Sequence, residues 1–296
     1  MEKIHPTILS RLFKNWCGEH HDSILQIPNS GSKRRYYRLQ SRDHKAIGAY
    51  NPNKKENKAF LKMTNFFLQE NIPVPEIFAV HDSFTYYLQQ DLGDTTLFSL
   101  ITKYREEPEM VPVIKQYLRE AIRELARIQI IAGRRMDFSM CHPYRRFNKS
   151  AILFDLEYFR EHFLSQHKVH YHKRRLNKEF KQLAAFIGQA ESHFFLYRDF
   201  QSRNIMLQDE HIFFIDYQGG RQGPLQYDLS SLLFQARANL PQQLREEMLD
   251  YYLRVARMLT PIDKVEFKSY FLEKGNNKVK IKPMDNVDIE LSDIYL

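Results

Sequence analysis

The chain has 296 residues, of which 43% are hydrophobic and 27% charged, and its aromatic residues are 22 Phe, 17 Tyr and one Trp. So many aromatic side chains need a core to bury them, which excludes a disordered chain. The formal net charge of +8 leaves three kinds of partner open: nucleic acid, an anionic membrane surface, or a small phosphate-bearing ligand.

The two cysteines, Cys17 and Cys141, lie far apart in the sequence and in no spacing typical of metal ligands. A disulfide scaffold is therefore excluded, and a reducing, cytoplasmic location is expected. No apolar run approaches the roughly 20 residues that a membrane span requires, and the first six residues do not resemble a signal peptide. We expect no membrane association.

Residues 1–92 are predicted to form a small, β-rich N-lobe. Apolar residues recur at helical spacing over 8–16, and strands are predicted at 24–27, 35–39, 46–50, 77–81 and 84–90. A helix is predicted over 55–71, because Phe60, Met63 and Phe67 share one face, and Pro73 follows it.

Residues 93–272 are predicted to form a larger, mainly helical C-lobe. An amphipathic helix is expected from residue 113 to Gly133, further helices at 152–165, 176–190 and from 225 to about 272, and short strands at 193–197 and 211–215. The lobes join near residues 90–93, and ligand sites tend to lie in such a cleft. Residues 273–296 are polar, and we expect a truncated, divergent or disordered tail.

The residues most informative about chemistry are Asp199, Asn204 and Asp216: four residues separate Asp199 from Asn204, and Asp216 is the twelfth residue after Asn204. Phosphoryl transfer needs one carboxylate to orient the attacking hydroxyl, and an amide oxygen with a second carboxylate to hold Mg²⁺. A tight loop would direct Asp199 and Asn204 to one place, and a hairpin would return Asp216 to it.

Three segments resemble the aminoglycoside phosphotransferase/choline kinase-like family: residues 197–207 (YRDFQSRNIML), 214–218 (FIDYQ) and 223–233 (GPLQYDLSSLL). Within that family the chain is similar to bacterial sugar kinases that phosphorylate N-acetylmuramate or N-acetylglucosamine at the anomeric hydroxyl. The resemblance extends over about residues 25–265. It implies an α+β, protein-kinase-like bilobal fold and a cytoplasmic kinase that uses ATP and Mg²⁺.

The same resemblance implies roles for individual residues. Asp199 would be the catalytic base, and Asn204 and Asp216 the Mg²⁺ ligands. Arg203 and Gln218, next to them in the sequence, are expected to contact the acceptor. Asp228 would brace the catalytic loop from the following helix, although its position in a first helical turn also fits a carboxylate stabilised by the helix dipole.

The ATP-binding residues implied by the resemblance are Ser30, Gly31 and Ser32 over the phosphates, Gln90 to Leu92 at the adenine, and Glu56 as partner of a phosphate-binding cation. From the residues alone, 29–32 could equally be a hairpin turn, and Glu56 a surface residue favoured by the helix dipole. The cation itself is not evident, because Lys45 lies at the very start of the third strand. Arg35 is the alternative, and the sequence leaves the choice open.

Residues 142–182 contain ten Lys or Arg, four Asp or Glu, and five His. His167, His170 and His172 could suggest zinc, but no Cys or carboxylate completes the set. The bases of 173–175 could contact nucleic acid, but no nucleic-acid-binding motif accompanies them, which argues against that partner. In the family that the chain resembles, this segment lies near the acceptor site, so its bases could instead attract an acidic sugar; the alternative is a solvated charge run between two helices.

The sequence therefore predicts a small-molecule kinase that acts on a sugar hydroxyl, such as that of N-acetylmuramate or N-acetylglucosamine. Two alternatives are a pseudokinase or regulatory nucleotide-binding module, and a kinase of another small alcohol such as an aminoglycoside or choline.

Overall fold

The computed structural model describes residues 6–28, 34–104 and 106–276. They divide into two compact units, one within Met1–Thr95 and Met206–Gln218, the other within Thr96–Ile205 and Gly219–Leu296. The sequence predicts the boundary near residue 92 and assigns 206–218 to the second lobe. The structure instead groups this segment with the first unit, so the division is not a single cut in the chain.

The strands are β1 (Ser23–Ile27), β2 (Arg35–Gln40), β3 (Lys45–Tyr50), β4 (Ile77–Val80), β5 (Tyr86–Gln89), β6 (Phe194–Leu196), β7 (Ile205–Gln208), β8 (His211–Phe214) and β9 (Arg221–Gly223). The α-helices are α1 (Pro6–Cys17), α2 (Lys54–Gln69), α3 (Leu97–Tyr104), α4 (Val111–Ala126), α5 (Gly133–Arg135), α6 (Lys149–Phe159), α7 (Lys173–Ile187), α8 (Gln226–Leu233), α9 (Gln242–Leu259) and α10 (Lys264–Asn276). In the described ranges no helix is both long and apolar enough to cross a membrane.

The first unit contains an antiparallel sheet in the order β1-β2-β3-β5-β4. All five strands overlap the predicted ones. Helix α1 packs on this sheet through Leu9 and Phe13, which are fully buried. Gly48 in β3 permits this approach, because a Cβ there would lie 2.8 Å from Leu39 Cδ1 and 2.9 Å from Leu9 Cδ2.

The hairpin β7–β8 belongs to the first unit for a physical reason. The Leu207 N–H donates to the Thr95 carbonyl (2.9 Å), and the Phe214 N–H donates to the Pro73 carbonyl (2.8 Å). Just beyond β8, the buried Tyr217 packs its ring against Phe60 and Phe67 of α2. These contacts join segments more than a hundred residues apart in the sequence. The periodicity of a sequence predicts local elements and does not predict such distant contacts.

The second unit is mainly helical, as predicted, with two differences. Helix α3 was absent from the predicted elements. The amphipathic helix that begins at α4 does not stop at Gly133, but continues through a π-helical turn (Arg127–Ala132) into α5. Gly133 has an ordinary right-handed helical backbone. Its lack of a side chain serves packing instead, because a Cβ would lie 2.8 Å from the Phe195 nitrogen.

The strand β6 is buried in this unit and leads directly into the predicted catalytic loop. All three of its residues are buried, and it pairs antiparallel with β9. The two strands pack closely at Gly223 of β9, where a Cβ would lie 2.5 Å from Leu196 Cδ1 of β6. The loop after β6 therefore starts from a tightly packed position.

Candidate active site

The residues after β6 form one tight loop that carries Asp199 and Asn204. The Gln201 N–H donates to the Asp199 carbonyl (2.9 Å), and the Asn204 N–H donates to the Gln201 carbonyl (2.8 Å) within a 3₁₀ turn. The Asn204 amide nitrogen donates to the Asp199 carbonyl as well (2.8 Å). Because Nδ2 makes this hydrogen bond, the other end of the amide, Oδ1, faces away from the Asp199 carbonyl. Oδ1 is an acceptor and can bind a different partner.

Asp228, in the first turn of α8, holds this loop through its backbone. Its side chain is fully buried and accepts hydrogen bonds from the Tyr197 N–H (2.8 Å) and the Arg198 N–H (2.8 Å). Gln129 donates to the same carboxylate (2.9 Å) and accepts from the Tyr252 hydroxyl (2.6 Å). A buried carboxylate needs such donors to offset its desolvation. Asp228 therefore lies in the first turn of its helix and also holds the backbone of the catalytic loop.

Gln129 and Tyr252 were not among the predicted site residues. The only sequence signal is a Gln inside the apolar run Ile128-Gln129-Ile130, where a polar group must find a partner. The partner comes from α8, about a hundred residues later, so no local pattern identifies it.

Two arginines contribute positive charge next to Asp199. Arg198 has a left-handed backbone (φ 81°), and its guanidinium pairs with Asp155 of α6 at 3.1 Å. Burial opposes the charge on Arg198, but Asp199 and Asp155 outweigh it and raise its pKa. Arg221 is 2% exposed, lies over the Tyr144 ring, and has its pKa lowered by burial and by the like charge of Arg198. Sequence reasoning missed Arg221.

In the first unit, Asp216 follows β8 with a left-handed backbone (φ 69°). Such a conformation is uncommon for a residue with a side chain, although aspartate adopts it more readily than most residues do. The Gln218 side chain donates to Asp216 Oδ1 (2.6 Å), which orients the carboxylate. Tyr217 lies between them in sequence and anchors the segment through a 2.6 Å hydrogen bond with Thr64 of α2.

The cation beside Glu56 is Arg34, and neither of the two residues considered from the sequence takes that place. Arg34 Nη2 lies 2.6 Å from Glu56 Oε1, and the Arg34 side chain is almost fully buried. Burial opposes its charge, but Tyr87, Tyr36 and Glu56 outweigh burial, so its pKa is raised. Lys45 is exposed at the first position of β3, and the Arg35 guanidinium donates a long hydrogen bond to the Arg34 carbonyl (3.5 Å).

The predicted adenine segment lies beside a fixed turn. Arg38 forms paired hydrogen bonds with Asp91 (2.7 and 3.1 Å) and with Asp94 (2.9 Å each). Leu92 is buried, and the Gln90 N–H is paired with the Glu76 carbonyl (2.9 Å). This turn is therefore held by charge-assisted hydrogen bonds.

Four further residues were predicted to belong to the site: Ser30, Gly31, Ser32 and Arg203. Ser30, Gly31 and Ser32 lie outside the described residues. Arg203 is exposed on the 3₁₀ turn of the catalytic loop, one residue before Asn204.

A five-stranded antiparallel N-terminal sheet followed by a mainly helical unit, with an Asp-x₄-Asn loop braced by a buried carboxylate, defines the class of kinase-like phosphotransferases. The profile of the phosphotransferase enzyme family matches residues 23–263, and the chain belongs to this family. The predicted family and fold class are confirmed.

Two relatives are each named N-acetylmuramate/N-acetylglucosamine kinase. The protein from Pseudomonas aeruginosa PAO1 is 21% identical over 237 residues, which cover 79% of this chain and 66% of that protein. The protein from Neisseria meningitidis serogroup B strain MC58 is 24% identical over 229 residues, which cover 76% and 65%. The matches thus span about two thirds of the length of these relatives.

The fold is also that of a solved aminoglycoside phosphotransferase, APH(2'')-Ib, in its ADP-bound form. The TM-score is 0.62 at 14% identity, over 99% of this chain and 97% of that one. At this identity the likeness is one of fold.

Proposed function

We propose that this protein is a kinase that transfers the γ-phosphoryl group of ATP to a hydroxyl group of a sugar. The observation that carries the proposal is the loop after β6, where Asp199 and Asn204 share one tight turn held by Asp228. Membership in the phosphotransferase enzyme family supports the reaction class. The names of the two relatives support an N-acetylated amino sugar as the acceptor.

Asp199 is the catalytic base in this proposal. Its carboxylate accepts a hydrogen bond from the acceptor hydroxyl and aims the oxygen at the γ-phosphorus. The new oxygen–phosphorus bond forms as the bond to the β–γ bridging oxygen breaks, and the hydroxyl proton passes to Asp199. The positive charge of Arg198 lies beside Asp199 and attracts its carboxylate.

Asn204 and Asp216 are the proposed ligands of Mg²⁺. Both side chains offer oxygen atoms, which this cation prefers. Asn204 is oriented through its nitrogen and keeps Oδ1 for the ion, and Asp216 is oriented through Oδ1 and keeps Oδ2. Asn204 directly precedes β7, and Asp216 follows β8 by two residues, so the two ends of one hairpin supply the set. The bound ion would offset negative charge on the β- and γ-phosphates.

Arg34 is the proposed phosphate-binding cation, with Glu56 as the residue that positions it. Ser30, Gly31 and Ser32 directly precede Arg34 in the sequence and are proposed to cover the phosphates. Gln90 and Leu92 flank the backbone groups proposed to meet adenine.

An acidic acceptor fits the charge around Asp199 better than a cationic one. N-acetylmuramate carries a carboxylate that N-acetylglucosamine lacks, and Arg198 and Arg221 supply positive charge in the same unit. Arg203 and Gln218 are proposed as further acceptor contacts. Aminoglycosides and choline are cations, so this environment disfavours them.

The test is ADP release by wild type and by Asp199→Asn with ATP, Mg²⁺ and a panel of N-acetyl sugars, aminoglycosides and choline. We expect wild type to be active on an N-acetyl sugar, and the variant to lose about 10²–10⁴-fold in kcat with little change in ATP affinity. Asp209→Asn is the matched control, because Asp209 is exposed and lies in a left-handed turn that asparagine adopts readily.

Equal turnover by wild type and Asp199→Asn would contradict the role of Asp199. Binding of Mg·ATP without ADP release on any acceptor would instead support a pseudokinase or a regulatory nucleotide-binding module.

A further inference from the structure

Three side chains of different chemistry meet at the C-terminal end of α1, and the proposed kinase function uses none of them. The ligand atoms of Cys17, Glu19 and His44 all lie within 4.8 Å of one another. All three residues are partly buried. In the part of the chain that the structure describes, no other group of three His, Cys, Asp or Glu side chains comes together in this way.

The fold, and not the sequence spacing, creates this cluster. Helix α1 ends at Cys17, and Gly18 turns the chain with a left-handed backbone (φ 81°) while its N–H donates to the Lys14 carbonyl. Glu19 follows immediately. His44 comes from the β2–β3 turn, where its N–H donates to Ser41 Oγ (3.2 Å).

The donors are a thiol sulfur, an imidazole nitrogen and a carboxylate oxygen, the three ligand types that Zn²⁺ accepts in proteins. Zinc bonds of about 2.0–2.3 Å place neighbouring tetrahedral ligands roughly 3.3–3.6 Å apart. The His44 Nδ1 to Glu19 Oε2 distance is already 3.2 Å, so one edge of a tetrahedron is formed. Cys17 Sγ lies within 4.8 Å of both atoms, and its side chain has one rotatable bond to adjust its position.

Metal ligands in proteins are commonly held in place by hydrogen bonds from neighbouring residues, and Glu19 has such a neighbour in Ser41. Ser41 Oγ donates to Glu19 Oε2 at 2.5 Å and orients the carboxylate toward His44. Among the described residues, Cys17 Sγ donates hydrogen bonds to the backbone carbonyls of Phe13 (3.3 Å) and Glu19 (3.8 Å). Weak thiol hydrogen bonds of this kind are readily exchanged for a metal bond.

We propose that Cys17, Glu19 and His44 bind one Zn²⁺ ion, with a solvent molecule in the fourth position. Binding releases the thiol proton of Cys17 to solvent and moves the proton of the neutral His44 ring from Nδ1 to Nε2, so that the thiolate sulfur and the Nδ1 lone pair become ligands. The ion joins the end of α1 to the β2–β3 turn. The site therefore stabilises the N-terminal unit without entering the phosphoryl-transfer chemistry.

The protein carries its own reporter for this site. Its single tryptophan, Trp16, precedes Cys17, and its ring lies 5.5 Å from the His44 ring in an edge contact. On its other side Trp16 stacks on Phe78 at 4.2 Å. Tryptophan fluorescence thus arises from one position adjacent to the proposed ion.

The experiment is a titration of the full chain, reduced with a non-chelating phosphine, first with Co²⁺ and then with Zn²⁺. We expect one equivalent of Co²⁺ to produce a near-ultraviolet thiolate-to-cobalt absorption band and to quench Trp16 fluorescence. Zn²⁺ should then abolish the band and restore the emission. Zn²⁺ should also raise the melting temperature, because it binds only the folded unit.

Cys17→Ser should remove the absorption band, and His44→Gln should weaken Co²⁺ binding at least tenfold. Two control variants should bind as wild type does. Cys141→Ser changes the other cysteine, which is buried in the second unit, and the combined His167→Ala, His170→Ala and His172→Ala variant removes the histidine-rich segment. Circular dichroism of each metal-free variant checks its folding.

The proposal is overturned if wild type shows no thiolate band, if folded Cys17→Ser binds Co²⁺ as tightly as wild type, or if binding disappears with the three histidines. None of these readouts depends on kinase activity. A failure of the proposed function therefore leaves the metal site unaffected, and the reverse is also true.

Discussion

Arg34 and Glu56 differ in how far each side chain is removed from water. The Arg34 side chain is 6% exposed, whereas that of Glu56 is 30% exposed. When one partner of such a pair is removed, the cost depends on the burial of the charge that remains. The two halves of the pair should therefore respond differently to mutation, although both serve the proposed ATP site.

We predict that Glu56→Gln destabilises the protein by about 2 kcal/mol and Arg34→Met by about 1 kcal/mol, less than the roughly 3–5 kcal/mol for breaking a fully buried pair. Glu56→Gln leaves a buried guanidinium without its carboxylate, whereas Arg34→Met leaves a carboxylate that water reaches. Both should raise the KM for ATP about tenfold and leave that for the sugar unchanged. Urea unfolding and steady-state kinetics measure these effects.

Lys45→Met is the control for this pair, because Lys45 is the exposed lysine at the start of β3. It should leave both the stability and the KM for ATP as in wild type. A larger effect of Lys45→Met than of Arg34→Met on the KM for ATP would transfer the phosphate-binding role to Lys45.

At the scale of elements, the helix that begins at α4 and the strand β6 together determine where the catalytic loop starts. Gly133, near the end of this helix, packs directly against the backbone of β6. In an ordinary helix position, replacing glycine by alanine stabilises a protein by about 0.8–1.0 kcal/mol. Here a methyl group would meet backbone atoms that have no rotamer to change, so the sign should reverse.

We predict that Gly133→Ala destabilises the protein by about 2 kcal/mol or more and lowers kcat, because it displaces β6 and the loop that follows. Thermal and urea unfolding measure the first effect, and ADP release the second. Ala185→Gly on the exposed face of α7 shows the ordinary size of the alanine–glycine difference in this chain. A Gly133→Ala protein as stable as wild type would show that β6 does not constrain this helix.

For the whole molecule, the net charge of +8 is unevenly distributed. Residues 142–182 hold ten of the Lys and Arg residues, and Lys178 and Lys181 on α7 are exposed. Helix α7 packs on α6, which carries the Asp155 that pairs with Arg198. Exposed charges interact with a ligand through solvent, so salt should screen the effect of these lysines.

We predict that Lys178→Gln/Lys181→Gln lowers kcat/KM for N-acetylmuramate about twofold at low ionic strength, and leaves that for the uncharged N-acetylglucosamine unchanged. The effect should vanish at high salt. Arg254→Gln/Arg257→Gln on α9 makes the same change in net charge and is the matched control. An equal loss on both sugars would mean that these lysines act through structure and not through their field.

Much of the fold could be predicted because its signals are local. The strands of the first sheet and helices α2, α4, α6 and α7 follow from periodicity and from punctuation by proline. Gly133 was predicted to end a helix, which is wrong because the neighbouring strand, not a turn, requires its missing side chain. The predicted second lobe includes 206–218, whereas the contacts group this segment with the first unit, because Tyr217 is anchored on α2, far away in the sequence.

The sequence alone predicted the reaction class, because Asp199, Asn204 and Asp216 lie within one short stretch whose spacing fits what phosphoryl transfer requires. It also suggested a cation as the partner of Glu56, but left open both the pairing and the identity of that cation. Tertiary structure decided that Arg34 pairs with Glu56, that Gln129 and Tyr252 support Asp228, and that Cys17 and Glu19 meet His44. Each of these depends on side chains from separate elements, whose distances are fixed by packing and leave no trace in local spacing.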